Sequence, residues 1–317
     1  MAFHVLITDK VHPVLISDLK AKGAIVTYDT SVNNEILDNI IHRYDGIIIN
    51  SKITMDEARI KKGIQLKFIG RLGSGLEIID LKAAKRARIE VLNSPEGNRN
   101  AVSEHALGML LALANNLYRS NHEVKTFHWD REKNRGFELE GKTIGIIGFG
   151  HTGSSFAEKL SSWRLNIIAY DKYKKRFGRS FRFVERTSLD TLLERSDIIS
   201  VHLPLTNETK NFIDRIFLSK CKNGVILINT SRGQILNTRD LIDALESKKI
   251  GGACLDVFEN EKPETYSDNE KMMFEKLYSF ENILVSPHVA GWTHESLYKI
   301  AKILSDKILQ SSVFKIS

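Results

Sequence analysis

Three residues in the last third of the chain, Arg232, Glu261 and His288, carry the functional groups of an acid–base site. Each stands just past a short apolar run that reads as a β-strand, the place where α/β folds put their ligands. A guanidinium can grip a carboxylate at two points and polarise a neighbouring carbonyl. An imidazole titrates near neutrality, so it can take or return a hydroxyl proton. A carboxylate beside that imidazole raises its pKa and fixes its orientation. Interconversion of a hydroxy acid and an oxo acid needs these three functions. Spacing alone does not bring them together. Taken singly, each suits a plainer role: Arg232 in a surface ion pair, Glu261 on a solvated loop, His288 as a loop histidine.

A second constellation lies upstream. Gly148, Gly150 and Gly153 form a G-x-G-x-x-G turn directly after the apolar run Thr143–Ile147, with His151 and Thr152 between the last two glycines. The spacing predicts a helix from about Thr152 to Trp163, opening on the turn. The glycines serve a tight bend, close approach of a pyrophosphate and close helix–strand packing. The helix N-terminus adds amides and positive dipole for the phosphates. Asp171 ends the next strand, eighteen residues after Gly153. A carboxylate there accepts hydrogen bonds from ribose hydroxyls and repels a 2′-phosphate, which favours NAD over NADP. The alternative is a glycine-rich strand–helix turn without a ligand. The basic run Lys172-Tyr173-Lys174-Lys175-Arg176 also softens the bias against NADP.

The elements that must position these groups alternate in kind. Val5–Thr8, Ile25–Tyr28, Gly46–Ile49, Leu66–Ile69 and Glu90–Asn93 read as strands, with helices at 13–22 and 80–88 between them. A second series comprises Thr143–Ile147, Asn166–Tyr170, Asp197–Val201, Val225–Asn229, Gly252–Leu255 and Ile283–Val285. Such alternation implies parallel sheets covered on both faces. Residues 101–120 read as one long helix, apolar nearly all round and therefore buried between domains or subunits. Residues 125–140 read as an extended polar arm, on the surface or across a dimer interface, with Trp129 and Phe137 as isolated apolar anchors. Residues 294–309 read as a last amphipathic helix.

Composition narrows the class. The chain has 317 residues, 42% of them hydrophobic and 27% charged, which suits two globular domains. The N-terminus meets charge within ten residues, and the apolar run 107–117 is too short to span a bilayer, so a cytoplasmic location without membrane contact is expected. Cys221 and Cys254 lack the spacing of a metal or redox pair, so no metal is expected and neither thiol is given a catalytic role. A net charge of +7 raises nucleic acid as a partner, but acidic and basic residues are interspersed and no reader motif is present.

Taken together, the motifs resemble the D-isomer-specific 2-hydroxyacid dehydrogenases, and within them most resemble the D-3-phosphoglycerate dehydrogenases. The matching segments are Arg71-Leu72-Gly73-Ser74-Gly75, Pro95-Glu96-Gly97-Asn98, Ala101-Val102-Ser103-Glu104-His105, Gly148 to Gly153, Val201 to Thr206, Asn229 to Gly233, Asp256 to Pro263 and Pro287-His288. They run through nearly the whole chain in the family's order. The resemblance implies two doubly wound parallel-sheet domains, with a Rossmann NAD-binding domain inserted into a discontinuous flavodoxin-like substrate domain. Residues 1–98 and 288–317 would form the substrate domain and 99–287 the NAD-binding domain, with the long helix and arm making a homodimer.

The resemblance also implies the site. Arg232, Glu261 and His288 would be catalytic, with Arg232 and His288 touching substrate. Arg71, Ser74, Gly75 and Asn98 would complete the substrate site. Ser74, Gly148, Gly150, His151, Thr152, Gly153, Asp171, His202, Thr206, Thr230 and Asp256 would contact NAD, Asp256 at the nicotinamide end.

Three departures from the family pattern bear on the substrate. His151-Thr152 stands where an aliphatic usually holds the second place, and Ile78 replaces an asparagine. Asn50-Ser51-Lys52 stands where phosphoglycerate dehydrogenases carry a phosphate-binding arginine, with Lys52 or Arg71 as possible substitutes. The expected reaction is NAD-linked interconversion of a small anionic D-2-hydroxy acid and its 2-oxo acid. Oxidation of 3-phosphoglycerate in serine biosynthesis, by a short form lacking the regulatory domain, is one version. Hydroxypyruvate or glyoxylate reduction is the alternative, and a non-catalytic NAD-sensing co-repressor is a third reading.

Overall fold

A run such as Gly46-Ile47-Ile48-Ile49 has no polar side to show to water, so it fits a sheet covered on both faces. The computed structural model, which describes residues 3–314, places it there. The described residues form two compact units. One holds residues up to Arg99 and from Trp292 onward, and the other is Asn100–Gly291. His288 therefore packs with the second unit, apart from the helix that follows it.

The first unit runs β1 (Phe3–Ile7), α1 (Pro13–Ala21), β2 (Ala24–Tyr28), α2 (Asn34–Ile40), β3 (Gly46–Ile49), α3 (Glu57–Lys62), β4 (Phe68–Arg71), α4 (Leu81–Arg86) and β5 (Glu90–Asn93). The strands are all parallel in the order β2-β1-β3-β4-β5. This is the flavodoxin-like order, which changes direction between β1 and β3. Leu6, Ile47, Ile49 and Ile69 fill one face of the sheet with Leu37, Ile60 and Ala83. Val5, Ile7, Ile48 and Phe68 fill the other with Leu15, Leu19 and Leu304. That second layer needs the C-terminal helix, His294–Gln310, whose Ala301, Leu304 and Ile308 are fully buried. Lys307 fastens it through the Asn93 carbonyl at 2.8 Å and Glu96 at 2.9 Å.

The second unit runs α5 (Arg99–Ala114), α6 (Leu117–Lys125), β6 (Thr143–Ile147), α7 (His151–Leu160), β7 (Asn166–Tyr170), β8 (Val184–Arg186), α8 (Leu189–Arg195), β9 (Ile198–Val201), α9 (Arg215–Lys220), β10 (Val225–Asn229), α10 (Thr238–Glu246), β11 (Ile250–Leu255), α11 (Asp268–Tyr278) and β12 (Ile283–Val285). The C-terminal helix is then α12. The seven strands are parallel in the order β12-β11-β10-β9-β6-β7-β8, a Rossmann sheet whose direction changes between β6 and β9. Alternate residues serve opposite faces. Ile146 packs with Phe156 and the α5 residues Ala106 and Leu110, while Ile147 packs with Leu192, Leu241 and Phe274.

The structure departs from the sequence expectation at several elements. Strand β4 starts at Phe68, because Leu66 is taken into a turn closed by its amide on the Gly63 carbonyl at 2.9 Å. Strand β8 was not foreseen; it is a three-residue edge strand with two exposed positions. The single helix expected over 101–120 is two, broken where Asn116 adopts φ +50, a left-handed conformation asparagine tolerates better than most residues. The stretch after α6 is not an extended arm. It folds back, with the Phe137 amide on the Ala114 carbonyl at 2.9 Å and Arg119 Nε on Asn134 at 3.0 Å. Trp129 is exposed there, 79%.

Candidate active site and dinucleotide turn

The glycine turn sits where the direction of the Rossmann sheet changes. Gly148 has φ +88, and a Cβ on it would lie 2.4 Å from the His202 carbonyl oxygen at the end of β9. A Cβ on Gly153 would lie 2.1 Å from the Gly148 carbonyl oxygen. Both positions are closed by packing against the chain's own backbone. Gly150 is different, since a Cβ there meets nothing within 4 Å. Its bareness opens a space that a side chain would fill. No side chain caps α7 at Gly150, so the N-terminus of this helix opens at the same glycine.

Asp171 is built into the same turn. Its Oδ2 accepts the Phe149 amide at 2.8 Å, and its Oδ1 accepts the amides of Tyr173 at 2.9 Å and Lys174 at 2.8 Å. Burial works against its ionisation, but the amides and the Lys174 charge outweigh it and hold the carboxyl below its usual range. A carboxylate oxygen can take two donors, so Oδ2 keeps room for one more. Thr230, 8% exposed at the end of β10, has a buried Oγ1 with no hydrogen-bond partner. An open cradle at Gly150, a helix N-terminus with no side-chain cap, an anchored carboxylate and an orphaned hydroxyl fit a dinucleotide.

His202 and Thr206 follow the end of β9. The His202 side chain turns into the core, with Nε2 2.9 Å from Ser200 Oγ and its ring against Phe156, and burial pushes its pKa down to about 4. It supports the glycine turn through its backbone. Thr206 is exposed, with its hydroxyl 3.1 Å from that of Thr209.

The three acid–base residues come from the ends of β10, β11 and β12. Asn229 folds the first loop, accepting from Ser231 Oγ at 2.7 Å and donating to the Arg232 carbonyl at 3.1 Å. A Cβ on Gly233 would fall 1.8 Å from the Phe258 carbonyl oxygen, so this loop lies flat against the loop carrying Glu261. Glu261 Oε2 lies 2.8 Å from His288 Nδ1. Burial opposes the ionisation of Glu261. The hydrogen bond and charge of His288 outweigh it, helped by the Phe258 amide and the Arg232 charge, and the carboxyl stays below its usual range. With Nδ1 donating to Glu261, Nε2 is left as the imidazole's working atom.

His288 has φ +54, a strained conformation for a residue with a side chain. Its amide donates to the Asp256 carbonyl at 2.8 Å. The fully buried Asp256 carboxylate accepts the Val289 and Ala290 amides, each at 2.9 Å, and Ser286 Oγ at 2.6 Å. Asp256 is thus committed to the loop that carries His288. Sequence reasoning passed over Ser286 and His105, whose Nε2 lies 2.9 Å from Ser286 Oγ. The only signal was their place, His105 at the end of the matching segment Ala101–His105 and Ser286 immediately before Pro287-His288.

Arg71, Ser74, Gly75 and Asn98 belong to the first unit. Arg71 ends β4, and Ser74 and Gly75 follow it, with the Ser74 carbonyl held by Asn93 Nδ2 at 2.8 Å. Asn98 Oδ1 is buried with no hydrogen-bond partner. At the β1/β3 switch of this sheet, Asp9 Oδ2 accepts the Asn50 amide at 3.0 Å, and Lys52 Nζ donates to the Thr30 carbonyl at 2.6 Å. Cys221 and Cys254 are buried, and burial pushes both thiols up to about 12, as inert core residues require. Among the described residues no cluster of three or more metal-ligating side chains occurs, and no helix is long and apolar enough to cross a membrane.

Residues 107–290 match the family model of the D-isomer specific 2-hydroxyacid dehydrogenases, NAD binding domain. The chain belongs to that family. Its central unit is therefore an NAD-binding domain. The chain is 36% identical over 285 residues to a hydroxypyruvate reductase of Thermotoga maritima, a match covering 90% of each. It is 33% identical over 305 residues to a D-3-phosphoglycerate dehydrogenase of Archaeoglobus fulgidus, covering 96% of this chain and 56% of that one. The chain thus spans little more than half the length of that relative. The structure of a D-lactate dehydrogenase of Aquifex aeolicus, complexed with NAD and lactic acid, aligns with a TM-score of 0.84 and 28% identity, over 96% of this chain and 94% of that one.

Proposed function

We propose that the protein interconverts a small D-2-hydroxy acid and its 2-oxo acid with NAD, acting on an unphosphorylated substrate of the hydroxypyruvate or glyoxylate kind. The observation that carries the reading is the 2.8 Å His288–Glu261 pair, held on a loop beside that of Arg232. The Gly148–Gly153 turn and Asp171 would hold the cofactor, with Thr230 beside it. When bound, NADH supplies a hydride, two electrons together with one hydrogen, for the carbonyl carbon. Arg232 grips the substrate carboxylate and polarises the carbonyl. His288 delivers the proton from Nε2 to the carbonyl oxygen, and Glu261 stabilises the imidazolium before transfer. In oxidation the same atoms take the proton back. Arg71, Ser74, Gly75 and Asn98 are proposed as the first unit's substrate residues.

The unphosphorylated substrate is supported by the strand-end rim of the first unit. Asn50 stands where a phosphate-binding arginine would be expected. Its amide is taken by a carboxylate, and Lys52 is engaged on the Thr30 carbonyl. A relative matched over 90% of each chain is named a hydroxypyruvate reductase. A panel of hydroxypyruvate, glyoxylate and 3-phosphohydroxypyruvate with NADH tests this. Preference for the phosphorylated acid would reverse the substrate reading and point to serine biosynthesis. NADH binding without turnover on any 2-oxo acid would turn the protein into a cofactor sensor.

We also place the protein in the cytoplasm as a homodimer joined through the α6 region. Leu117, Tyr118, Val124, Phe127 and Trp129 there are 50–100% exposed, more apolar surface than a monomer usually shows in one place. Light scattering of Phe127→Asp would read the loss of the dimer.

A further inference from the structure

Ser286 has one hydroxyl proton, and the Asp256 carboxylate, 2.6 Å away, can only accept it. His105 Nε2, 2.9 Å from the same oxygen, must then be the donor in that contact. This fixes the His105 tautomer with its proton on Nε2. A directional chain results, from His105 on α5 through Ser286 to Asp256 Oδ1, with His105 Nε2 itself 3.5 Å from that oxygen. The same Oδ1 also accepts the Val289 amide and Oδ2 accepts the Ala290 amide, immediately after the left-handed His288. The contacts of His105 and Ser286 fall on Asp256, so they act on the loop that carries His288.

We infer that His105 and Ser286 are positioning residues that orient the Asp256 carboxylate and so hold His288 in its strained, working conformation. A backbone in the left-handed region persists only where its surroundings over-determine it. Here three amides in a row, His288 to Ala290, are held by one residue, Asp256. Without the Ser286 proton, Oδ1 loses its shortest contact, and the carboxylate can rotate away from the two amides. Without the His105 proton, the hydroxyl is free to turn and donate elsewhere. Both losses let the loop relax. His288 then spends less time with Nδ1 on Glu261 and Nε2 toward the substrate.

This inference rests on the proposed acid–base role of His288, and the experiment separates the two. Wild type, His288→Ala, His105→Leu, His105→Gln, Ser286→Ala and the His105→Leu/Ser286→Ala double variant are assayed for kcat and KM on the best 2-oxo acid. NADH affinity is measured separately by fluorescence quenching. His105→Leu and Ser286→Ala are expected to lose about 10- to 100-fold in kcat, with NADH affinity within about twofold of wild type. His105→Gln keeps a donor and is expected to recover most of the loss. The double variant is expected to be no worse than the poorer single one, because both interrupt one chain. Unchanged kcat in His105→Leu, glutamine no better than leucine, or multiplicative losses in the double variant would overturn the inference. Full turnover in His288→Ala would instead remove the proposed function beneath it.

Discussion

His202 makes the fold's stability depend on acid in a calculable way. Its side chain is buried, only 7% exposed, and its pKa falls from 6.5 to about 4 because burial penalises the imidazolium. In the unfolded chain it protonates near pH 6.5; in the folded chain it resists until about pH 4. The unfolded state therefore binds more protons between these values, and stability falls as pH falls. Below about pH 4 the loss levels off. By linkage the loss amounts to ~2 kcal/mol at pH 5 and ~3 kcal/mol at pH 4, relative to pH 8. The perturbation that isolates it is His202→Gln, whose amide can still meet Ser200 but does not titrate. Urea unfolding of both proteins at pH 8, 6, 5 and 4 gives the difference directly. Carboxylates titrating in the same range act on both proteins and cancel. The gap in unfolding free energy between wild type and variant should shift by ~3 kcal/mol from pH 8 to pH 4 in the variant's favour. A gap that stays constant to within ~0.5 kcal/mol would show that His202 is not buried in its neutral form.

Further outcomes concern the site. His288→Ala should lose most turnover while keeping NADH binding, measured by steady-state kinetics beside fluorescence titration. Glu261→Gln should lower kcat about 10- to 1000-fold with little change in NADH affinity, since one charge-assisted bond to the imidazole is weakened. Because the folded pKa of Glu261 lies below its ordinary 4.5, the stability it lends is present above that value and lost as pH falls through the lower one. Thermal melts of Glu261→Gln should accordingly lie closer to wild type in acid than at pH 7. Gly150→Ala should weaken NADH binding without lowering Tm, because its Cβ enters open space. Gly148→Ala should also lower Tm, since its Cβ meets the His202 carbonyl at φ +88.

The core of the plan could be read from the sequence because its signals are local. Runs such as Ile47-Ile48-Ile49 and Val225–Asn229 announce buried parallel strands, and a glycine turn after a strand announces the dinucleotide helix. Arg232, Glu261 and His288 could be nominated by type and by place after a strand. Their meeting could not, because it depends on three strand ends being neighbours in the sheet. His105 and Ser286 lie 181 residues apart, and no periodicity links them. The break in the long helix was written in Asn115-Asn116, but an apolar pattern on both sides overrode two polar residues. The inward packing of the His202 ring on Phe156 has no local signal, because a histidine just after a strand can face either way.

The contact between Gly233 and Phe258 sets a rule for how this site can change. With 1.8 Å between a hypothetical Cβ and the Phe258 carbonyl oxygen, the Arg232 loop and the Glu261 loop share one backbone surface. A residue inserted in either, or a side chain placed at 233, has to be answered by movement in the other. The two segments, 229–234 and 256–261, are in effect a single heritable module split by a helix and a strand. Transplanting substrate preference from a relative should therefore succeed when both travel together and fail when either is grafted alone.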